Sequence, residues 1–237
     1  MKKRWYQFST VDQDTTELLI YGDIEDYKWI ESDVTAYDFA VDLSKVDTPN
    51  LRIRINSYGG IVSSGLAIYN LLKDCNKKVT TVCDGFACSA ASIIFMAGVE
   101  RIMPKTSLLM IHNVWTYTSG NANQLRKAAD DLEIITQPSI EAYKASSILN
   151  EDEIKELMDN ESWITADQAL SYGFATKIID DEPQQKIDGE FYLRNSIMKN
   201  LALENMVSQL SAENKKLKEN SKPLNEWDKF YGGKYEE

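Results

Sequence analysis

Apolar positions along the chain fall into two periods, alternating pairs and helical triplets, and the two take turns. Leu18-Leu19-Ile20-Tyr21 predicts a first strand, stopped by Gly22-Asp23. From Thr35 to Leu43 the apolar positions Tyr37, Ala40, Val41 and Leu43 keep helical spacing behind Thr35, an N-cap residue. Leu51, Ile53 and Ile55 alternate with Arg52 and Arg54, the signature of a half-buried strand that runs into Asn56-Ser57-Tyr58-Gly59-Gly60. A helix follows, with Val62, Leu66, Ala67, Tyr69, Leu71 and Leu72 on its apolar side. Val79 to Val82 reads as a strand, Gly85 to Ser92 as a tight small-residue turn, and Ala90 to Ala97 as a buried helix ended by Gly98. Arg101-Ile102-Met103 and Leu108 to Ile111 predict two more strands around Pro104. A long helical stretch over about 122–148 carries Leu125, Leu132, Ile135, Ile140 and Tyr143, and Pro138 is expected to kink or break it. Glu151 to Met158 predicts a short helix. Thr165 caps another that runs to Tyr172 with Gly173 just past its end, and Phe174 to Ile179 predicts a last strand. Strands alternating with helices imply an α/β fold with a largely parallel sheet and right-handed crossovers.

The pattern changes after Asp180. Asp181 to Lys186 is a polar linker, and beyond it Leu203, Leu210 and Leu217 recur every seven residues with Asn200, Val207 and Asn214 between them. That polar-interrupted heptad predicts a helical or flexible tail. The expected organisation is an N-terminal segment over 1–14, one domain over 15–180 and a linker and tail over 181–237. With 237 residues and 43% hydrophobic content, the chain has enough apolar surface for one large core. A formal net charge of −11 excludes a general nucleic-acid binder, which needs clustered Lys and Arg. The basic start, Met1 to Arg4, has no apolar run behind it, so neither a signal peptide nor a membrane span is expected, and the cytoplasm is the expected compartment. Cys75, Cys83 and Cys88 are odd in number and not spaced as zinc ligands; reduced thiols are expected, with no metal and no cofactor.

Chemistry concentrates at Ser89. A serine where a strand turns into a helix either caps the helix or is a nucleophile on a sharp elbow, with backbone N–H groups nearby. Cys88 and Ser92 are the rival nucleophiles; Cys88 lies just before the turn, and Ser92 inside the helix has back-bonding to a carbonyl as its plainer role. His112 is the only histidine in the chain. It falls at the C-terminal end of an apolar strand, the edge where open α/β sheets place their sites, and a neutral imidazole there can accept a serine proton. Gly59-Gly60 is either a simple turn or a source of unhindered N–H groups for an oxyanion.

Four patches in order resemble the Clp protease proteolytic subunit family (ClpP). Ile55 to Gly60 with Gly65-Leu66-Ala67-Ile68-Tyr69 resembles its Asn-Ser-Pro-Gly-Gly…Ala-Ile-Tyr stretch. Gly85 to Ala90 resembles its Gly-x-Ala-Ala-Ser-Met nucleophile turn, Met110-Ile111-His112 its Met-Ile-His segment, and Trp163 to Gly173 its Phe-x-Ser-Ala-x-Glu-Ala…Tyr-Gly-Leu segment. Tyr21-Gly22-Asp23-Ile24 and Glu161-Ser162-Trp163 resemble the phage and prophage branch, the head maturation proteases. The resemblance implies a ClpP/crotonase-like spiral of β-β-α units with a long handle helix. It implies a serine endopeptidase with Ser89 as nucleophile, His112 as general base, and the N–H groups of Gly60 and Ala90 as oxyanion hole. Substrate would lie as an added strand against Val114, Trp115, Thr116 and Tyr117. The family's acid is an Asp two residues before the aromatic; here that position is Glu161, with Asp159 the alternative. Tyr58 for proline and Ala90 for methionine are further departures. The implied partners are polypeptide substrates, among them capsid or scaffold protein, further copies of the chain in a heptameric ring or stacked double ring, and an ATPase unfoldase. A bacterial-type Clp subunit, a catalytically impaired ring or scaffold protein, and a crotonase-type acyl-CoA enzyme are the competing readings; no basic CoA-anchoring cluster is present.

Overall fold

A computed structural model describes residues 5–25 and 35–180. The heptad-spaced tail lies outside the described residues. The elements are β1 (Tyr6–Thr10), β2 (Thr15–Tyr21), α1 (Ala36–Leu43), β3 (Asn50–Ser57), α2 (Val62–Asp74), β4 (Lys78–Cys88), α3 (Ala90–Phe95), β5 (Glu100–Pro104), β6 (Leu108–Ile111), α4 (Ala122–Lys144), α5 (Glu151–Asp159), β7 (Ser162–Thr165), α6 (Ala166–Tyr172) and β8 (Lys177–Ile179). The fold is mixed α/β. Eight strands form one sheet in the order β1-β2-β3-β4-β5-β8, with β6 joining β4 and β7 joining β6. The pairs β2/β3, β3/β4, β4/β5, β4/β6 and β5/β8 are parallel; β1/β2 and β6/β7 are antiparallel.

The strand β4 organises the sheet. Its first half pairs with β5, Thr80 to Val82 against Glu100 to Ile102. Its second half pairs with β6, Phe86 to Cys88 against Leu108 to Met110. Between the halves sits Asp84, whose carboxylate accepts from both Nε and Nη2 of Arg54 at 2.8 and 2.5 Å and from the Tyr21 hydroxyl at 2.6 Å. That ion pair lets a charged residue stay in the strand, with the Arg54 and Asp84 side chains only 19% and 12% exposed. So the strand does not end at Val82, as the apolar run suggests, but continues to the serine turn.

Other elements depart from expectation for similar local reasons. The strand β1 has no strong apolar pattern; it forms because it pairs along its whole length with β2 and buries Tyr6 against Phe39. Helix α4 continues through Pro138 rather than breaking there, and ends at Lys144. The last strand is shorter than expected, because the Phe174 carbonyl accepts from Arg101 Nε and the Ala175 N–H donates to the Ala169 carbonyl instead of to a neighbouring strand. The core is a continuous cluster that includes Leu18, Ile20, Phe39, Ile53, Ile55, Ile68, Ile94, Phe95, Leu109, Ile111, Tyr143 and Phe174. Among the described residues, no helix is long and apolar enough to cross a membrane.

Candidate active site

Strand register assembles the site. Cys88 stands opposite Met110, and the Ser89 N–H donates to the Met110 carbonyl at 2.8 Å, so the ends of β4 and β6 lie side by side. Ser57 of β3 stands opposite Ala87, which carries Gly59-Gly60 to the same edge. Gly59 has φ +97, and a Cβ there would lie 2.7 Å from the Ser89 Cβ and 2.6 Å from the Cys88 carbonyl oxygen. Only glycine fits so close an approach at that backbone angle. Ser57 Oγ holds the turn, accepting from the Gly59 N–H at 3.0 Å and donating to the Gly22 carbonyl at 2.6 Å.

Ser89 is the residue before α3, at φ 53 and ψ −127, and its side chain makes no capping bond. That excludes the plain cap reading and leaves a strained serine. Among the described residues, Ser89 and Glu161, at φ 46, are the non-glycine residues in the left-handed region. Each such residue costs roughly 1–3 kcal/mol, and strain of this kind concentrates at functional positions.

The elbow is braced from behind. The Ser92 hydroxyl donates to the Ser89 carbonyl at 2.6 Å, and the Tyr143 and Ser92 hydroxyls lie 2.8 Å apart. Because the Ser92 hydrogen is already committed, Tyr143 is the donor in that pair. Tyr143 is 1% exposed, and burial pushes its phenol above the usual range. The back-bonding role expected for Ser92 therefore carries a second partner, which Tyr143, readable in sequence only as a core position, did not reveal.

A cavity of about 580 Å³ collects the candidates. Gly60, Ser89, Ala90 and His112 line it, together with Val114, Trp115, Thr116 and Tyr117. Asp23, Ser139 and Tyr143 also line it, and nothing in their sequence surroundings singled them out. Among the described residues, the N–H groups of Gly60 and Ala90 have no hydrogen-bond partner. The segment after His112 is without regular secondary structure; its Val114 N–H donates to Thr136 Oγ1 on α4 at 3.3 Å. Trp115 and Tyr117 pack edge to face, ring centroids 5.1 Å apart, and are 63% and 92% exposed. A second aromatic row, Tyr58–Phe86–Trp163, runs from the rim of the cavity at 5.6 Å per contact.

The acids stand apart from this cavity. Glu161 and Asp159 are exposed and are not among its lining residues. Asp159 accepts from the Asn113 side chain at 2.7 Å, beside His112. Among the described residues, no hydrogen bond joins either carboxylate to His112. The rival nucleophile is muted: Cys88 is buried, and desolvation pushes its thiol up to about 11. A thiol there is almost wholly protonated near neutral pH.

ATP-dependent Clp protease proteolytic subunit 3 of Rhodococcus jostii (strain RHA1) is 34% identical over 127 residues, which cover 53% of this chain and 63% of that protein. The chain thus spans just under two thirds of that relative's length. Residues 2–182, well over half of the chain, match the family described as Clp protease, and the chain belongs to that family.

Proposed function

We propose that the chain is a serine endopeptidase with Ser89 as nucleophile and His112 as general base. One observation carries this reading: a serine held in strained backbone geometry, making no capping bond, shares a cavity with the only histidine of the chain and with two N–H groups that have no partner among the described residues. The Ser89 Oγ–H proton passes to the imidazole as Oγ bonds to the substrate carbonyl carbon. The resulting oxyanion accepts from the Gly60 and Ala90 N–H groups; a donor of this kind is worth about 3–4 kcal/mol in the transition state. The imidazolium then protonates the leaving amine as the C–N bond breaks, and water repeats the sequence to release the acid. Glu161 is the acid that orients the imidazole; its positive φ, the second such strain beside Ser89's, supports it over Asp159, whose carboxylate is engaged by Asn113. Substrate lies extended along Val114–Tyr117.

The spiral arrangement, with α4 as a handle between subunits, and a heptameric ring or stacked double ring belong to the same proposal. So does the substrate: a capsid or scaffold protein cleaved during phage head maturation, a reading supported by Tyr21-Gly22-Asp23-Ile24 and Glu161-Ser162-Trp163. The relative's name includes "ATP-dependent". Partnership with an ATPase unfoldase is therefore the alternative setting, and cleavage of folded protein that depends on added ATPase is its signature. A second reading, a ring or scaffold protein without activity, is favoured by one observation: neither acid bonds His112 among the described residues.

A fluorophosphonate probe separates the readings. Labelling at Ser89 that disappears in His112→Ala and Ser89→Ala supports the peptidase. An assembled chain that resists labelling overturns it in favour of the scaffold.

A further inference from the structure

The inner end of the cavity is formed by its buried members, Gly59, Ala90, Ile93, Ser139 and Tyr143, whereas Tyr58, Trp115 and Tyr117 at the rim are exposed. Ser139 is 2% exposed, and its Oγ has no hydrogen-bond partner among the described residues. A serine inside a helix ordinarily satisfies itself by bonding a carbonyl one turn back. Ser139 does not. Tyr143 is one turn further along α4 and so shares its face. But the Tyr143 hydroxyl is committed to Ser92. Ser139 is therefore the uncommitted polar group at the inner end, among otherwise apolar walls. Two other buried hydroxyls, Ser64 and Ser147, also lack partners, but neither lines the cavity.

We infer that Ser139 selects the side chain that precedes the scissile bond, and that it favours an uncharged carboxamide, asparagine or glutamine, over the apolar side chain of the same shape. This rests on the peptidase reading above. The side chain next to the attacked carbonyl is the part of a peptide closest to Ser89, so the pocket continuous with Ser89 receives it. A buried hydroxyl left unpaired costs about 1–3 kcal/mol, and an apolar occupant would leave it so. A carboxamide carries both a donor and an acceptor and satisfies a hydroxyl in either sense. A charged occupant is disfavoured, because the inner end offers no charge to pair with it. Sites built to hydrogen-bond a substrate reject analogues lacking the group far better than apolar pockets reject an extra polar atom.

The test uses the full chain and fluorogenic peptide amides that differ only at that position, paired as glutamine against methionine and asparagine against leucine. The expected kcat/KM is about tenfold or more higher for the carboxamide member of each pair. In Ser139→Ala the ratio falls to one or below, through loss on the carboxamide substrates, while the melting temperature holds or rises because an unpaired hydroxyl has gone. Ser139→Cys, close in shape and a weaker hydrogen-bonding group, gives a ratio in between and is the second variant if the alanine form is poorly behaved. A ratio of one or below in the unaltered chain, or one unmoved by either substitution, overturns the inference while fluorophosphonate labelling of Ser89 leaves the peptidase reading standing. Absence of both labelling and cleavage overturns the peptidase reading, and this inference with it.

Discussion

The Tyr143 hydroxyl lies 2.8 Å from the Ser92 hydroxyl, which in turn donates to the carbonyl of Ser89 at 2.6 Å. The carbonyl that Ser92 grips belongs to the strained residue itself. A buried relay from α4 through α3 thus fixes the peptide unit that follows the candidate nucleophile. Strain at φ 53 persists only if the surroundings over-determine it, and this relay is a large part of how they do.

Removing the relay from its middle is expected to hurt more than removing it from its end. Ser92→Ala leaves a buried phenol unpaired and costs about 1–3 kcal/mol; Tyr143→Phe removes donor and hydroxyl together and costs less, about 1 kcal/mol. The double variant should be no worse than Ser92→Ala alone, a non-additivity readable by urea unfolding. Both should slow fluorophosphonate labelling of Ser89. Equal and additive losses would mean that the two hydroxyls act separately.

Gly59→Ala places a methyl group against the Cys88 carbonyl and the Ser89 Cβ at a backbone angle closed to alanine. Backbone strain and overlap together are expected to cost more than about 2 kcal/mol. Labelling at Ser89 should fall with it. Folding and labelling at the native level would show that the turn and the serine are less tightly coupled than the 2.7 Å approach implies.

Arg101 fastens the far side of the sheet to the helices. It donates to the carbonyls of Phe174, Gly98, Ser146 and Gly173 at 2.7–3.1 Å. Lysine cannot reproduce a planar fork over four acceptors. Arg101→Lys is expected to lower stability by about 2–4 kcal/mol at a rough 1 kcal/mol for each bond lost, measured by chemical denaturation. A change below half a unit would mean that water replaces the guanidinium freely.

Stability should also fall in alkali. Burial raises Cys88 to about 11 and Cys83 to about 12, well above an ordinary thiol. The unfolded chain therefore loses these protons first, and ΔG of unfolding decreases as pH rises from about 9, by up to 1.4 kcal/mol per pH unit for each thiol. Cys83→Ala and Cys88→Ala, measured by urea unfolding between pH 8 and 10.5, should each flatten that slope at some cost in packing. Below pH 8 the thiols add no pH dependence. Fluorophosphonate labelling should survive prior treatment with iodoacetamide at pH 7.5, which would not be so if Cys88 were the reactive group.

The two acids can be told apart. Glu161→Gln keeps the shape and removes the charge, and is expected to slow labelling of Ser89 by about 10²-fold or more if it orients His112. Asp159→Asn disturbs only the bond from Asn113 and should slow it less than about threefold. The reverse ranking assigns the role to Asp159.

Much of the fold was legible because local signals and tertiary pairing agree. Thr35 and Thr165 cap their helices as their side chains predict, each in a full capping box. Where they disagree, the sequence misled. The strand looked finished at Val82 because the ion pair that keeps Asp84 within it is made with Arg54, thirty residues away. Tyr6 to Thr10 looked like nothing because its partner strand supplies the order. At the site, Ser89, His112 and the glycines stand just past the ends of strands and can be read from motifs. The Tyr143–Ser92 relay and the unpaired Ser139 hydroxyl cannot, since an apolar stripe says which residues face inward and nothing of where their hydroxyls go.

The double pairing of β4 has a consequence for the chain as it is made. Ser89 directly follows β4, but the strand that brings His112 to the same edge is short and is held on its far side by β7, which spans Ser162–Thr165. Contacts that distant in sequence form late. The edge that holds the candidate serine and histidine together is therefore complete only once the chain has been made as far as Thr165 and has folded back onto β6.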